Sequence, residues 1–211
     1  MYIPAHFRED DLTTLQALMR EYSFATLVST GDDGVPIATP LPFLLETEPQ
    51  PYGTLKAHMA LGNPQWRTFR PEREVLVIFQ GPHAYITPSW YETTLSVPTW
   101  NYATVHAYGI PHIIEDPEAL REHLHLLVNT HEAQFVTPWT LEQLPDDFVE
   151  KMMKGVVGFS IALTRLEGKF KMSQNRVPGE RARVAAELNQ SHDPSRAAVG
   201  ELVQRTKPTI R

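Results

Sequence analysis

The chain has 211 residues and no cysteine, which excludes disulfide staples, thiolate metal sites and a cysteine nucleophile. With 42% hydrophobic and 21% charged residues it can bury a sizeable core, and a formal net charge of -6 argues against a broad basic surface for nucleic acid. Residues 1–10 lack the basic-then-apolar order of a secretory signal and no apolar run is long enough to span a membrane, so a reducing cytoplasmic setting is the expectation.

Residues 10–22 predict a first helix, opened by an Asp, with Leu12, Leu15, Leu18, Met19 and Tyr22 on one face. A buried strand is expected over 24–29, then a Gly31-Asp32-Asp33-Gly34 turn and a second strand over 35–43. Pro36, Pro40 and Pro42 weaken that strand assignment, because proline cannot donate to a ladder and prefers edges and bulges. Further strands are expected over 53–59, 75–80 and 84–87, with Gly81-Pro82 turning the chain between the last two. A long strand over 100–115 is expected to break at Gly109-Ile110-Pro111.

Asp116-Pro117 predicts a helix start, with Asp as cap and Pro in the first turn, and Leu120, Leu124, Leu127, Val128 and His131 facing inward. A shorter helix over 146–154 should turn Phe148, Met152 and Met153 to the core. Over 155–172 Phe159, Ile161 and Leu163 alternate with Ser160, Ala162 and Thr164, the pattern of a half-buried strand. From Gly179 the chain reads as helical, Asp193-Pro194 opens the last helix, and 206–211 should fray. Strands dominate the first half and helices lie between or after them, which implies an antiparallel β-barrel decorated by helices. The expected division is a barrel domain over 1–175 and a C-terminal helical extension of it over 176–211. The glycine-rich dinucleotide and P-loop fingerprints are absent.

Four segments hold residues suited to chemistry. In the first, Lys56 and His58 share a strand face that runs into Asn63-Pro64, which reads as the cap and first residue of a short helix carrying Trp66 and Phe69; a helix start suits an anion, and an ordinary strand–turn–helix is the competing explanation. In the second, Tyr85, Thr87, Ser89 and Trp90 mix hydroxyls with large aromatics, as sites for planar ligands do and as a barrel corner also would. In the third, Trp100 and Tyr102 lie on one strand face with Asn101 opposite, which fits a pocket or a subunit seam. In the fourth, Lys169, Lys171 and Ser173 should share an extended face, with Phe170 and Met172 packed behind and Gln174 and Asn175 adding amides; a solvated strand end is the alternative. His123 and His125 are two residues apart on a helix and point in different directions, and His131 has no partner at ligand spacing, so no metal site is expected. No nucleophile-elbow motif appears.

Taken in order, Met1-Tyr2-Ile3-Pro4 with Phe7, His58-Met59-Ala60, Asn63-Pro64-Gln65-Trp66, Gly81-Pro82, Tyr85-Ile86-Thr87-Pro88-Ser89-Trp90-Tyr91, Val97-Pro98-Thr99-Trp100-Asn101-Tyr102 and Lys171-Met172-Ser173-Gln174-Asn175-Arg176 resemble the PaiB-type, FMN-binding negative transcriptional regulator family nearly end to end. Thr87 stands where serine is expected and Met172 where leucine is usual; both keep the chemical character of the position. The resemblance implies a flavin split barrel, mostly β with peripheral and C-terminal helices, Greek-key-like, forming a homodimer with FMN at the interface. It implies Lys56, His58 and Asn63 at the phosphate and ribityl end, with Lys169, Lys171 and Ser173 adding charge there. Tyr85, Thr87, Trp90, Trp100 and Asn101 would surround the ring, and Gln174 and Asn175 would reach its edge. A regulator or flavin-dependent sensor is the reading the family implies. An NAD(P)H-using flavin oxidoreductase and a dimeric flavin- or haem-binding protein without catalysis are the alternatives. Direct DNA contact has no support from charge or motif.

Overall fold

The computed structural model describes residues 1–48, 51–93 and 95–209. Eight strands, β1 (Arg8–Glu9), β2 (Phe24–Thr30), β3 (Pro36–Pro42), β4 (Leu44–Glu46), β5 (Thr54–Ala60), β6 (Val75–Ile86), β7 (Thr99–Ile113) and β8 (Val156–Lys171), form one sheet in the order β3-β2-β6-β7-β8-β5-β4, with β1 pairing β8. Five helices accompany them: α1 (Leu12–Glu21), α2 (Pro117–Glu132), α3 (Asp146–Met153), α4 (Pro178–Asn189) and α5 (Pro194–Arg205). The chain forms two compact units. One comprises Ser23–Ile78 and Ala107–Leu166, the other Met1–Tyr22, Phe79–His106 and Glu167–Arg211.

In the first unit β2 pairs antiparallel with β3 over seven residues, from Phe24↔Pro42 to Thr30↔Pro36. All three prolines of β3 have even numbers, so their missing N–H groups fall on one side of the strand, and the edge position leaves that side free of ladder partners. Gly31-Asp32-Asp33-Gly34 makes the turn, closed by Gly31 N–H to Val35 O at 2.8 Å, with Gly34 at φ 81°. β5 pairs antiparallel with β8 from Thr54↔Ala162 to Ala60↔Val156. Leu27, Leu55, Val77, Phe159 and Ile161 are fully buried, and Phe43 and Phe69 meet Phe159 edge-on at 6.3 and 5.2 Å. Each such side chain contributes about 1.5–3 kcal/mol through burial.

β7 runs unbroken through Gly109-Ile110-Pro111, against the expected interruption. Gly109 serves close approach here: a Cβ would meet Ala162 O, and Ile161 Cγ2 at 2.7 Å. Asp116 caps α2 as expected, accepting from Glu118 N–H at 3.2 Å. Leu120 is buried and Leu124 packs beside it, as expected, but His123 is buried and His131 exposed, so the inner face departs from the predicted one at the histidines. On α3 the buried residues are Val149 and Met153, while Phe148 and Met152 are half exposed. Both errors follow from amphipathic patterns that carry apolar residues on two faces, where burial selects only one.

In the second unit Asp11 caps α1, accepting from Thr14 N–H at 2.7 Å, and Leu15, Leu18 and Met19 are buried. Gly81-Pro82 is not a turn; both residues are buried inside the continuous strand β6. A Cβ on Gly81 would stand 3.0 Å from Leu18 Cδ1 and 3.1 Å from Ala103 O, so glycine allows neighbouring elements to close in. β1 pairs β8 through Arg8↔Lys169 and Glu9↔Gly168. α4 and α5 pack together with Val184, Leu188, Val199 and Val203 buried. Arg181 Nη2 donates to the Val203 and Thr206 carbonyls at 2.6 Å each, satisfying the end of α5. Thr209 N–H donates to Gln174 O at 2.9 Å, tying the tail back; the last two residues of the expected frayed end lie outside the described residues.

Candidate functional site

Alternation along β6 buries Ala84 and Ile86 and turns His83 and Tyr85 outward. Thr87 caps a short 3₁₀ turn over Pro88–Trp90, its Oγ1 accepting from Ser89 N–H at 3.3 Å. Trp100 leaves β7 on the outward face, 5.8 Å from the Tyr85 ring centroid and 6.1 Å from that of His83. Tyr85, Thr87, Trp90 and Trp100 line one cavity of about 380 Å³, together with Ser195 and Arg196 of α5. Four of the residues singled out in the sequence thus share one pocket.

Asn101 points the other way and is 1% exposed. Its Nδ2 donates to Ser173 Oγ at 2.9 Å, and its Oδ1 is buried without a hydrogen-bond partner. Ser173 is also buried and adopts φ 57°, so the extended face shared by Lys169 and Lys171 ends before it reaches Ser173. Gln174 folds back on the strand end, accepting from Met172 N–H at 2.7 Å and donating to Phe170 O at 2.6 Å. Asn175 is exposed, and Arg176 stacks over Tyr91 at 4.0 Å with an ion pair to buried Glu180 at 3.7 Å. These contacts hold the turn after β8.

Phe170 and Met172 are buried, as the alternation requires. Lys169 Nζ donates to Tyr2 O at 3.2 Å and lies 5.2 Å from the Tyr102 ring centroid. Lys171 donates to Thr99 Oγ1, next to Trp100 in sequence. Burial, then the charge of Lys169, lowers the Lys171 amine below its ordinary pKa. Two ammonium groups that disfavour each other in a partly dry setting gain from a shared anion, so the residues present fit a phosphorylated planar cofactor.

Lys56, His58 and Asn63 belong to the other unit, and each is committed there. Lys56 pairs with Glu46 at 2.7 Å. His58 Nδ1 faces His123 Nε2 at 3.5 Å. Asn63 accepts from Gln65 N–H at 2.9 Å, the expected cap, and donates to Thr39 Oγ1 at 3.0 Å. Gln65 itself is fully buried, donating to Leu27 O, Ser29 Oγ and Ile37 O at 3.0–3.2 Å. Arg196 and the buried hydrogen-bonding roles of Gln65 and His123 were not legible in the sequence. The Asn-Pro cap was the available signal for Gln65; no local signal placed α2 or α5 against the strands they meet. Among the described residues no group of three or more His, Asp or Glu is arranged to hold a metal, and no helix is long and apolar enough to cross a membrane.

Residues 1–165 match the family described as "Putative FMN-binding domain". A curated relative, "Protease synthase and sporulation protein PAI 2" of Bacillus subtilis (strain 168), is 38% identical over 204 residues, covering 97% of both chains. Among solved structures the chain is similar to the flavocytochrome Anf3 from Azotobacter vinelandii (TM-score 0.58, 14% identity, 80% of this chain and 72% of that one). It is also similar to the FAD and heme binding protein from Mycobacterium smegmatis (TM-score 0.57, 16% identity, 78% and 73%). At those identities the likeness is one of fold. Sheet, helices and neighbours define a flavin-type split barrel, mixing strands with five helices. Within that class the chain belongs to the PaiB-type family of FMN-binding domains, whose cofactor is FMN.

Proposed function

We propose that this chain binds FMN at the aromatic cavity and acts as a flavin-dependent sensor and negative regulator of the PaiB type, working as a homodimer. The observation that carries the reading is the convergence of Tyr85, Thr87, Trp90 and Trp100 on one cavity of about 380 Å³. The cofactor, when bound, supplies a planar ring that can change redox state. Tyr85 and Trp100 offer apolar ring faces and Thr87 a hydroxyl, the mixture that planar ligands require. Lys169 and Lys171 attract the phosphate end. Asn101, Ser173 and Gln174 act one step behind, holding the turn that presents Lys171 and exposes Asn175. Lys56, His58 and Asn63 do not line this cavity and are left out of this reading.

Support for the dimer comes from apolar side chains that no water-facing role explains: Leu95 is 96% exposed, Val97 73% and Trp100 52%, within six residues of one another. The regulatory role rests on the family resemblance carried by the sequence motifs, since a net charge of -6 offers nothing to a DNA backbone. The test is a mobility shift of promoter DNA with the FMN-loaded dimer at two salt concentrations, run beside an NADPH reduction assay. A salt-sensitive shift without flavin bleaching supports the regulator. Rapid bleaching with no shift contradicts it and favours an oxidoreductase.

A further inference from the structure

We propose that Arg196, on α5, makes the aromatic cavity selective for a phosphate-bearing flavin by pairing with the ligand's phosphate. This rests on the FMN reading above and names the residue that would set its specificity.

Arg196 lines the same cavity as Tyr85, Thr87, Trp90 and Trp100. Its guanidinium is set apart from the other arginines of the C-terminal region. Arg176 pairs with Glu180 at 3.7 Å, Arg183 with Glu92 at 2.6 Å and Arg205 with Glu201 at 3.2 Å, while Arg181 is spent on the Val203 and Thr206 carbonyls. Arg196 has no such partner among the described residues. Arg196 is partly buried, lines the cavity and makes no ion pair with any carboxylate among the described residues, so its charge favours an anion there.

Its position is fixed by its neighbour. Ser195 Oγ accepts from His83 N–H at 2.9 Å and donates back to His83 O at 3.0 Å, clamping the first turn of α5 onto β6. Asp193 also lines the cavity, but its carboxylate is occupied as the cap, accepting from Ser195 N–H at 2.9 Å and Arg196 N–H at 3.4 Å. Those two N–H groups are therefore already used, and the Arg196 side chain is what remains for a ligand. Aromatic rings and an arginine lining one cavity suit a molecule that is planar at one end and anionic at the other. The lysine pair attracts any anion, whereas the planar fork of an arginine matches phosphate oxygens two at a time.

The test is a fluorescence titration of purified full-length protein with FMN and with riboflavin, which differ only in the phosphate. Wild type is expected to bind FMN at least about tenfold more tightly. Arg196→Ala should weaken FMN by about 10- to 100-fold while riboflavin stays within about twofold, and Arg196→Lys should recover only part of the loss. The thermal midpoint of each variant without ligand should match wild type, since Arg196 holds no other element in place. A ratio of FMN to riboflavin affinity unchanged in Arg196→Ala, or equal binding of both flavins by wild type, overturns the role of Arg196 and leaves flavin binding intact. Failure of wild type to bind either flavin overturns both.

Discussion

His58 Nδ1 and His123 Nε2 face each other at 3.5 Å, one on β5 and one on α2, with the ring planes 71° apart. Burial first, then the charge that His58 and Lys56 would place beside it, hold the His123 imidazole down at about 4. His58 is lowered too, by burial. The pair is thus neutral at physiological pH, and α2 docks on its sheet through two uncharged rings.

A stability consequence follows from the sign of that shift. Unfolding returns His123 to its ordinary value near 6.5, so between about 6.5 and 4 the unfolded chain binds more protons. The stabilising contribution is complete above 6.5, falls as the pH drops, and is gone near 4. From pH 7 to pH 5 the chain should lose about 1–2 kcal/mol through this residue. Urea midpoints across that range check it. A His123→Asn variant should show a flatter profile, and an equally steep one would contradict the assignment.

Asn101 and Ser173 give a second prediction. Ser173→Ala removes the acceptor of Asn101 Nδ2, whose Oδ1 already has no hydrogen-bond partner, and keeps the left-handed backbone. It should destabilise by about 1–3 kcal/mol. Ser173→Gly loses the same hydrogen bond but relieves about 1 kcal/mol of backbone strain, so it should be the milder change. Denaturant midpoints of the two variants decide the order.

Much of the fold was legible because local and global signals agreed. Asp116-Pro117 starts α2, and Phe159, Ile161 and Leu163 line the buried face of β8 as their alternation requires. Gly81-Pro82 and Gly109-Ile110-Pro111 misled, because glycine and proline mark close packing inside long bent strands as readily as they mark turns. The aromatic cavity was legible in part: Tyr85, Thr87, Trp90 and Trp100 lie within sixteen residues of sequence. Arg196 was not, since only tertiary packing of α5 on β6 brings it there. Lys56 looked available because its partner Glu46 stands ten residues away on the neighbouring strand β4, two places along from Leu44, which lies opposite Lys56.

Gly109 supplies a third prediction. Gly109→Ala places a methyl against Ala162 O and Ile161 in the middle of β7. Overpacking of that kind costs about 1–3 kcal/mol. A urea midpoint unchanged from wild type would show that the neighbouring strand can yield.

The exposed segment around Trp100 supplies a fourth. Val97→Asp places a charge on the proposed seam and should convert a dimer to monomer in sedimentation, at little cost to the monomer's own fold, because Val97 is 73% exposed. Persistence of the dimer would move the seam elsewhere.

The central claim is that the aromatic cavity holds FMN. Calorimetric titration of wild type and Trp100→Ala with FMN tests it most directly. The account predicts saturable binding at micromolar protein with about one FMN per chain, and a loss of about 0.5–1.5 kcal/mol in Trp100→Ala, the worth of one aromatic contact. Absence of saturable binding by wild type, or equal affinity in the two proteins, would contradict it.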